Sequence, residues 1–182
     1  MKLATLQSSG RDGNLVVVNR QLTKAKLVTN IALTLQSALD NWADIEPQLQ
    51  QVYHALNERK DDAITFDPRQ TSAPLPRSYQ WLDGSAYLSH VKRVRKSRGA
   101  DFPDYLFDDP LMYQGISSLM LGPHAPIEAV SEDWGIDFEA EIGVITDDVV
   151  AGVSVNDAAS HIKLILLIND ISLRNLIPAE LA

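Results

Sequence analysis

A strict alternation of acidic and apolar residues over residues 136–142 constrains the fold more than any other feature of the chain. Asp137, Glu139 and Glu141 occupy the odd positions, and Ile, Phe, Ala and Ile occupy the even ones. Because side chains point alternately to the two faces of a β-strand, this period of two predicts a strand over residues 136–145. The strand has one apolar face and one face on which three like charges repel one another.

Two interpretations of the charged face are open. The ordinary one is the solvated side of a half-buried strand. The other is a site for Mg²⁺ or Ca²⁺, because both cations prefer oxygen ligands. The chain has no cysteine, which excludes disulfides, thiolate catalysis and cysteine-ligated zinc or iron–sulfur clusters. Its net charge of −8 argues against nucleic acid as a partner, because phosphate binding requires a basic surface.

Two further residues are candidates for a functional site. Asp170 follows the aliphatic run at residues 164–168, which predicts a buried strand. A carboxylate at the edge of such a strand requires a partner, and the choice lies between a metal ion and Arg174, four residues later. His90 begins a basic helix, and its near-neutral pKa is compatible with a general base, although a lone histidine is commonly only a surface or core residue.

The remaining patterns indicate an α+β chain with two domains. Residues 1–72 read as a small N-terminal domain, with a hairpin, two amphipathic helices divided around residues 44–47, and a short strand near residue 64. A proline-containing linker at residues 70–76 marks the boundary. Residues 73–182 follow, with a basic helix that ends at Gly99, an aromatic loop over residues 104–115 and two strands.

The chain lacks the features of a membrane or secreted protein. No window approaches the roughly 18 consecutive apolar residues of a membrane helix. The first residues also lack the apolar run of a secretory signal. We therefore expect a cytoplasmic protein with no membrane partner.

Four stretches of this sequence, in the same order, resemble the fumarylacetoacetate hydrolase family, in its longer bacterial type with an N-terminal accessory domain. They contain an aspartate followed seven residues later by a histidine, an aromatic loop, a Glu-x-Glu strand and an Asn-Asp-Ile-Ser-Leu-Arg segment. The stretches are Asp83 to His90, residues 110–115 with the turns at 121–127, residues 137–143, and residues 169–175.

The resemblance implies a fold and a site. The N-terminal residues form the accessory domain, and the rest forms the first part of a mixed β-sandwich roll. Four carboxylates bind Mg²⁺ or Ca²⁺, His90 is the catalytic base, and two side chains bind the substrate. The implied metal ligands are Asp83, Glu139, Glu141 and Asp170, and the implied substrate-binding residues are Tyr113 and Arg174. Family members usually form homodimers.

The implied activity is hydrolysis of a carbon–carbon bond in a small 1,3-dicarbonyl acid, such as fumarylacetoacetate or an acylpyruvate, in aromatic amino-acid catabolism of the tyrosine type. Hydration, decarboxylation or isomerisation of a 2-oxo acid is the alternative on the same fold. The family chain normally continues well beyond the position of Ala182, so we also expect a truncated catalytic domain. A truncated, non-catalytic structural fragment is the corresponding non-enzymatic hypothesis.

Overall fold

The computed structural model describes residues 1–58 and 62–180. It contains strands and a few helices, in keeping with the mixed α and β content predicted above. Ala182, the predicted end of the truncated domain, lies outside the described residues. The strands are β1 (Lys2–Leu6), β2 (Asn14–Val18), β3 (Lys24–Leu27), β4 (Ile64–Thr65), β5 (Leu82–Ser85), β6 (Leu111–Gln114), β7 (Ile136–Thr146) and β8 (Ile162–Leu173). The α-helices are α1 (Leu35–Leu39), α2 (Trp42–Asn57), α3 (Leu88–Ser97), α4 (Val155–Ala158) and α5 (Ile177–Glu180).

The N-terminal residues form an antiparallel sheet in the order β1-β2-β3-β4, with helices α1 and α2 on one face. Strand β2 is buried on both faces, because Leu15 and Val17 pack against the helices while Val16 and Val18 pack on the opposite side. Leu49 of α2 is fully buried in the larger cluster. The predicted hairpin and the pair of helices are present, and burial of this continuous apolar layer is the main force that holds them together.

The two helices divide at a different point from the predicted one. Helix α1 ends at Leu39, and the carbonyl of Asn41 accepts the backbone N–H groups of Asp44 and Ile45 to begin α2. The predicted division at residues 44–47 is therefore wrong. Pro47 lies inside α2, where it removes one helical hydrogen bond. The helix continues because apolar side chains before and after the proline are buried in the same core.

The predicted linker packs against the N-terminal sheet. Thr5 donates its hydroxyl to the carbonyl of Pro74 at 2.6 Å, and the backbone N–H of Ser72 donates to the carbonyl of Thr5 at 2.9 Å. Arg77 then forms a two-point ion pair with Asp12, with Nε 2.8 Å from Oδ1. These contacts hold the segment that leads into β5.

Strands β5 and β6 pair with each other, and helix α3 lies between them in the sequence. The basic helix is confirmed at Leu88–Ser97, and Gly99 follows with a φ of +64°. The expectation of a loop over all of residues 104–115 is wrong, because residues 111–114 form β6. The strand forms despite its exposed side chains because its backbone groups pair with β5.

Strands β7 and β8 form a long antiparallel hairpin. The strand predicted at residues 136–145 is confirmed as β7, and its pairing with β8 begins at Ile136 opposite Leu173. At the loop end of the hairpin, Ile145 and Leu164 pack against the N-terminal core. The acidic end therefore lies away from that core, at the start of β7 and the end of β8.

The prediction that β8 is buried is wrong for one of its faces. The side chains of Ile165 and Leu167 are 73% and 86% exposed, and Phe138 and Ile142 of β7 share that face. An aliphatic run does not reveal whether one or both faces of a strand are covered. In the described part of the chain, this sheet has two strands.

None of the helices in the described ranges has the length and apolar character needed to cross a bilayer.

Asp147 anchors the loop end of the hairpin through two basic side chains. Its Oδ2 lies 2.9 Å from Nζ of Lys163, and its Oδ1 lies 2.6 Å from Nδ1 of His161. Lys163 is 19% exposed, so water only partly screens this pair. The hydrogen bond from Lys163 is the largest influence on the pKa of Asp147 and lowers it; burial opposes this effect, and the hydrogen bond from His161 lowers the pKa further by a smaller amount.

We expect Asp147→Asn to lower the free energy of unfolding at pH 7 by about 1 kcal/mol, measured by urea denaturation. A depressed carboxyl pKa stabilises the fold above the unfolded value of about 3.9, and this stabilisation is lost as the pH falls through the folded value. The difference in the free energy of unfolding between Asp147→Asn and wild type should therefore become smaller below about pH 4. Asp148→Asn at the exposed neighbouring position is the control, and equal stability of Asp147→Asn and wild type at pH 7 would contradict the prediction.

Candidate metal centre

Strand pairing places Asp83 and Tyr113 next to each other. The Cα atoms of the two residues are register partners in the β5–β6 pair, so their side chains lie on the same face. Tyr113 is half exposed. Burial raises the pKa of its hydroxyl, and the negative charges of Asp170 and Asp83 raise it further. The phenol is thus close to both carboxylates.

The β7–β8 register brings the other predicted carboxylates to one face. Glu139 lies directly opposite Asp170, whereas Glu141 lies opposite Ile168 and is a diagonal neighbour of Asp170. The structure therefore confirms that Asp137, Glu139 and Glu141 lie on one face of β7, as the period of two in the sequence predicts. Neighbouring like charges on one face destabilise a strand pair, and a cation beside them would offset this effect.

Three carboxylates converge to form the candidate centre. One oxygen from each of Asp83, Glu141 and Asp170 lies within 4.8 Å of the other two, and all three residues are partly buried. Strands β5, β7 and β8 supply one carboxylate each. In the ranges that the structure describes, no other group of three or more histidine, cysteine, aspartate or glutamate residues is close enough to hold a metal ion.

The electrostatics of the cluster are unfavourable in the absence of a cation. Burial raises the pKa of Glu141, and the charges of Asp83 and Asp170 raise it further. Burial and the charge of Asp83 likewise raise the pKa of Asp170. Ionising Glu141 and Asp170 beside Asp83 therefore costs free energy that a bound cation would recover.

These residues fit a hard divalent cation. The donor set consists only of oxygen, as Mg²⁺ and Ca²⁺ prefer. Two oxygens that bind one Ca²⁺ at about 2.4 Å lie at most about 4.8 Å apart, and the Mg²⁺ limit is about 4.2 Å. The three oxygens of the cluster lie within 4.8 Å of one another, so each pair is compatible with the limit for Ca²⁺. Whether Asp83, Glu141 and Asp170 are ligands remains a prediction.

Glu139 and Arg174 form an ion pair beside the cluster. Nη2 of Arg174 contacts Oε1 of Glu139, and Nε donates to Oδ2 of Asp137 at 2.8 Å. The sequence left Asp170 a choice between a metal ion and Arg174, and the structure pairs this arginine with the two β7 carboxylates. Glu139 is therefore outside the group of three, and its role as a fourth ligand also remains a prediction.

His90 lies in the first turn of α3 and is exposed. The hydrogen bond from Arg174 is the main cause that lowers the pKa of Asp137, and an electrostatic interaction with His90 makes the smallest contribution. Among residues 1–58 and 62–180, no carboxylate forms a hydrogen bond or ion pair with its ring. Its catalytic role is not tested by this geometry.

The sequence analysis gave Asp137 no role of its own, yet it is one of two partners that hold Arg174. The signal was present in the strand period, which puts Asp137 on the same face as the two glutamates. What the sequence lacked was the register that places Arg174, just after β8, beside the beginning of β7.

Comparison with protein-family models gives two matches along this chain. Residues 1–77 match the model described as fumarylacetoacetase N-terminal domain 2. Residues 80–181 match the model described as fumarylacetoacetate hydrolase C-terminal. A search of curated proteins finds no match.

The chain carries an acidic, oxygen-only candidate metal centre on a scaffold of strands and a few helices. It belongs to the fumarylacetoacetate hydrolase family. Members of this family are generally enzymes of the hydrolase, decarboxylase or isomerase type, and their domains usually bind a divalent metal ion.

Proposed function

We propose that this chain belongs to a divalent-cation-dependent hydrolase that cleaves a carbon–carbon bond of a 1,3-dicarbonyl acid. Fumarylacetoacetate- and acylpyruvate-like acids of aromatic amino-acid catabolism are the proposed substrates. The supporting observation is the convergence of Asp83, Glu141 and Asp170 in a chain of this family. In the proposal these residues hold Mg²⁺ or Ca²⁺, and Glu139 completes the set.

The other predicted residues have separate tasks in this proposal. His90 takes a proton from water, whose oxygen then adds to a substrate carbonyl carbon. The adjacent carbon–carbon bond breaks, and its electron pair leaves with the departing carbon as an enolate, which takes up a proton. A bound cation supplies Lewis-acid stabilisation of that charge. Tyr113 and Arg174 bind the carboxylate or keto oxygens, for which a planar guanidinium is suited.

The surroundings of His90 favour a second candidate reaction. A hydrolytic base is normally oriented by another side chain, and no carboxylate bonds to this imidazole in the described residues. Decarboxylation of a 2-oxo diacid whose second carboxylate is β to the keto group needs no activated water. The bond to that carboxylate breaks with loss of CO₂, and the electron pair is delocalised into the keto group as an enolate, which then takes up a proton. Hydration or isomerisation of a 2-oxo acid belongs to the same group of alternatives.

The cation site is tested first, by thermal unfolding. At a free Mg²⁺ or Ca²⁺ concentration 100 times the Kd, binding adds about 2.7 kcal/mol of stability. For a chain of 182 residues this corresponds to a rise in Tm of about 5–10 °C. Excess chelator should reverse the rise, and NaCl at matched ionic strength should not reproduce it. A Tm that is unchanged by millimolar amounts of both cations would overturn the proposal.

Substrate assays then separate the candidate reactions. Cation-dependent release of pyruvate and a carboxylic acid from an acylpyruvate supports hydrolysis, whereas cation-dependent CO₂ release from a 2-oxo diacid supports decarboxylation. Cation binding without turnover of either acid supports a non-catalytic fragment. The homodimer implied by the resemblance stays a prediction, which gel filtration of the same preparation tests.

A further inference from the structure

The guanidinium of Arg174 bridges two carboxylates at the edge of the candidate centre. It contacts Glu139 through Nη2 and Asp137 through Nε. The side chains of Arg174 and Glu139 are only 29% and 15% exposed, so their contact is shielded from water. Partly buried ion pairs are screened less by water and salt than pairs on an open surface.

This contact accounts for an unexpected feature of the cluster. Glu139 lies directly opposite Asp170, where cross-strand side chains are closest, whereas Glu141 is only a diagonal neighbour. It is nevertheless Glu141 that joins Asp170 and Asp83. Backbone register alone would favour Glu139, so the ion pair with Arg174 is what distinguishes the two glutamates.

We propose that Arg174 is a built-in counter-cation that competes with the divalent ion for Glu139. In the metal-free protein its positive charge offsets the negative charge of this face and retains the Glu139 carboxylate. When a cation binds at the other three carboxylates, Glu139 leaves Arg174 for the cation, and Arg174 keeps its contact with Asp137. This inference rests on the proposed cation site and adds that the ion pair between Arg174 and Glu139 weakens its affinity for the cation.

Removing the guanidinium while keeping a polar side chain tests the competition. We expect Arg174→Gln to bind Mg²⁺ or Ca²⁺ about tenfold more tightly than wild type in calorimetric titrations of the full chain, because Glu139 is released and a competing positive charge is lost. Arg98→Gln is the matched control, since it changes the net charge equally at an exposed position beyond the end of α3. Its affinity should stay within about twofold of wild type.

A second substitution tests whether the gain in cation affinity depends on the carboxylate of Glu139. In a Glu139→Gln background, Arg174→Gln should lose most of its tenfold gain, because the contested carboxylate is gone. Melting curves of every variant establish that it is folded. If Arg174→Gln fails to fold, Arg174→Lys serves instead, and it too should bind more tightly than wild type, because an ammonium lacks the fork that spans both carboxylates.

The outcomes separate this inference from the proposed function. Cation binding by wild type with equal or weaker binding by the Arg174 variants overturns the competition and leaves the site intact. A gain that persists fully in the Glu139→Gln background also overturns it. Absence of cation binding in wild type and in all variants overturns both the inference and the proposed function.

Discussion

Glu141→Gln is expected to raise the Tm of the metal-free protein by about 2–4 °C and to lower its affinity for Mg²⁺ or Ca²⁺ at least about 100-fold. The two effects have one cause. Glu141 is partly buried next to the charges of Asp83 and Asp170; burial is the larger cause of its raised pKa, and repulsion by the two carboxylates adds to it. A neutral amide removes the repulsion but also removes a charged ligand of the cation. Thermal melting with and without the cation measures both effects.

A surface position provides the control for this substitution. Glu128 lies in an exposed loop, and Glu128→Gln changes the net charge by the same amount. It should leave both the metal-free Tm and the cation-induced shift within about 1 °C of wild type. A lower metal-free Tm for Glu141→Gln would show that Glu141 has a stabilising partner, contrary to the electrostatics described above.

Gly13→Ala is expected to destabilise the N-terminal domain by more than about 2 kcal/mol. Gly13 is buried in the turn between β1 and β2 and has a φ of +61°, a conformation that costs a residue with a Cβ about 1–2 kcal/mol. A Cβ at this position would also lie 2.5 Å from the carbonyl oxygen of Leu6, which is backbone and cannot move without disturbing β1. Urea denaturation at pH 7 measures the loss.

Gly10 in the same turn is a matched control. Its added Cβ would meet only the hydroxyl of Ser8, at an ordinary contact distance of 3.7 Å, and its φ is not positive. Gly10→Ala should therefore change the free energy of unfolding by less than about 0.5 kcal/mol. Similar stabilities of the two variants would refute the conformational argument for Gly13.

The strand pattern predicted more of the site than any other part of the sequence. The alternation in β7 correctly places Asp137, Glu139 and Glu141 on one face. The sequence could not show which glutamate would join Asp170, because the two are equivalent in a period of two. Their difference arises from the guanidinium of Arg174, whose position depends on the pairing of β7 with β8.

The errors in the fold predicted from the sequence have a similar origin, because they depend on contacts between residues that are distant in the sequence. A division between two helices was expected around residues 44–47, but burial of apolar residues on both sides of Pro47 maintains α2. Residues 111–114 looked like a loop because their strand partner lies almost 30 residues earlier, at β5. Local pattern indicates which conformations are available to a segment, and tertiary packing selects among them.

The register of the β7–β8 hairpin also limits how the length of this protein can change during evolution. A single insertion or deletion within the acidic part of β7 would exchange the two faces, so that Phe138 and Ile142 would take the place of the carboxylates. Such a change would abolish the candidate centre without altering any of its residues. The connection at residues 147–161 is outside this paired segment, and length variation among homologues should therefore be concentrated there.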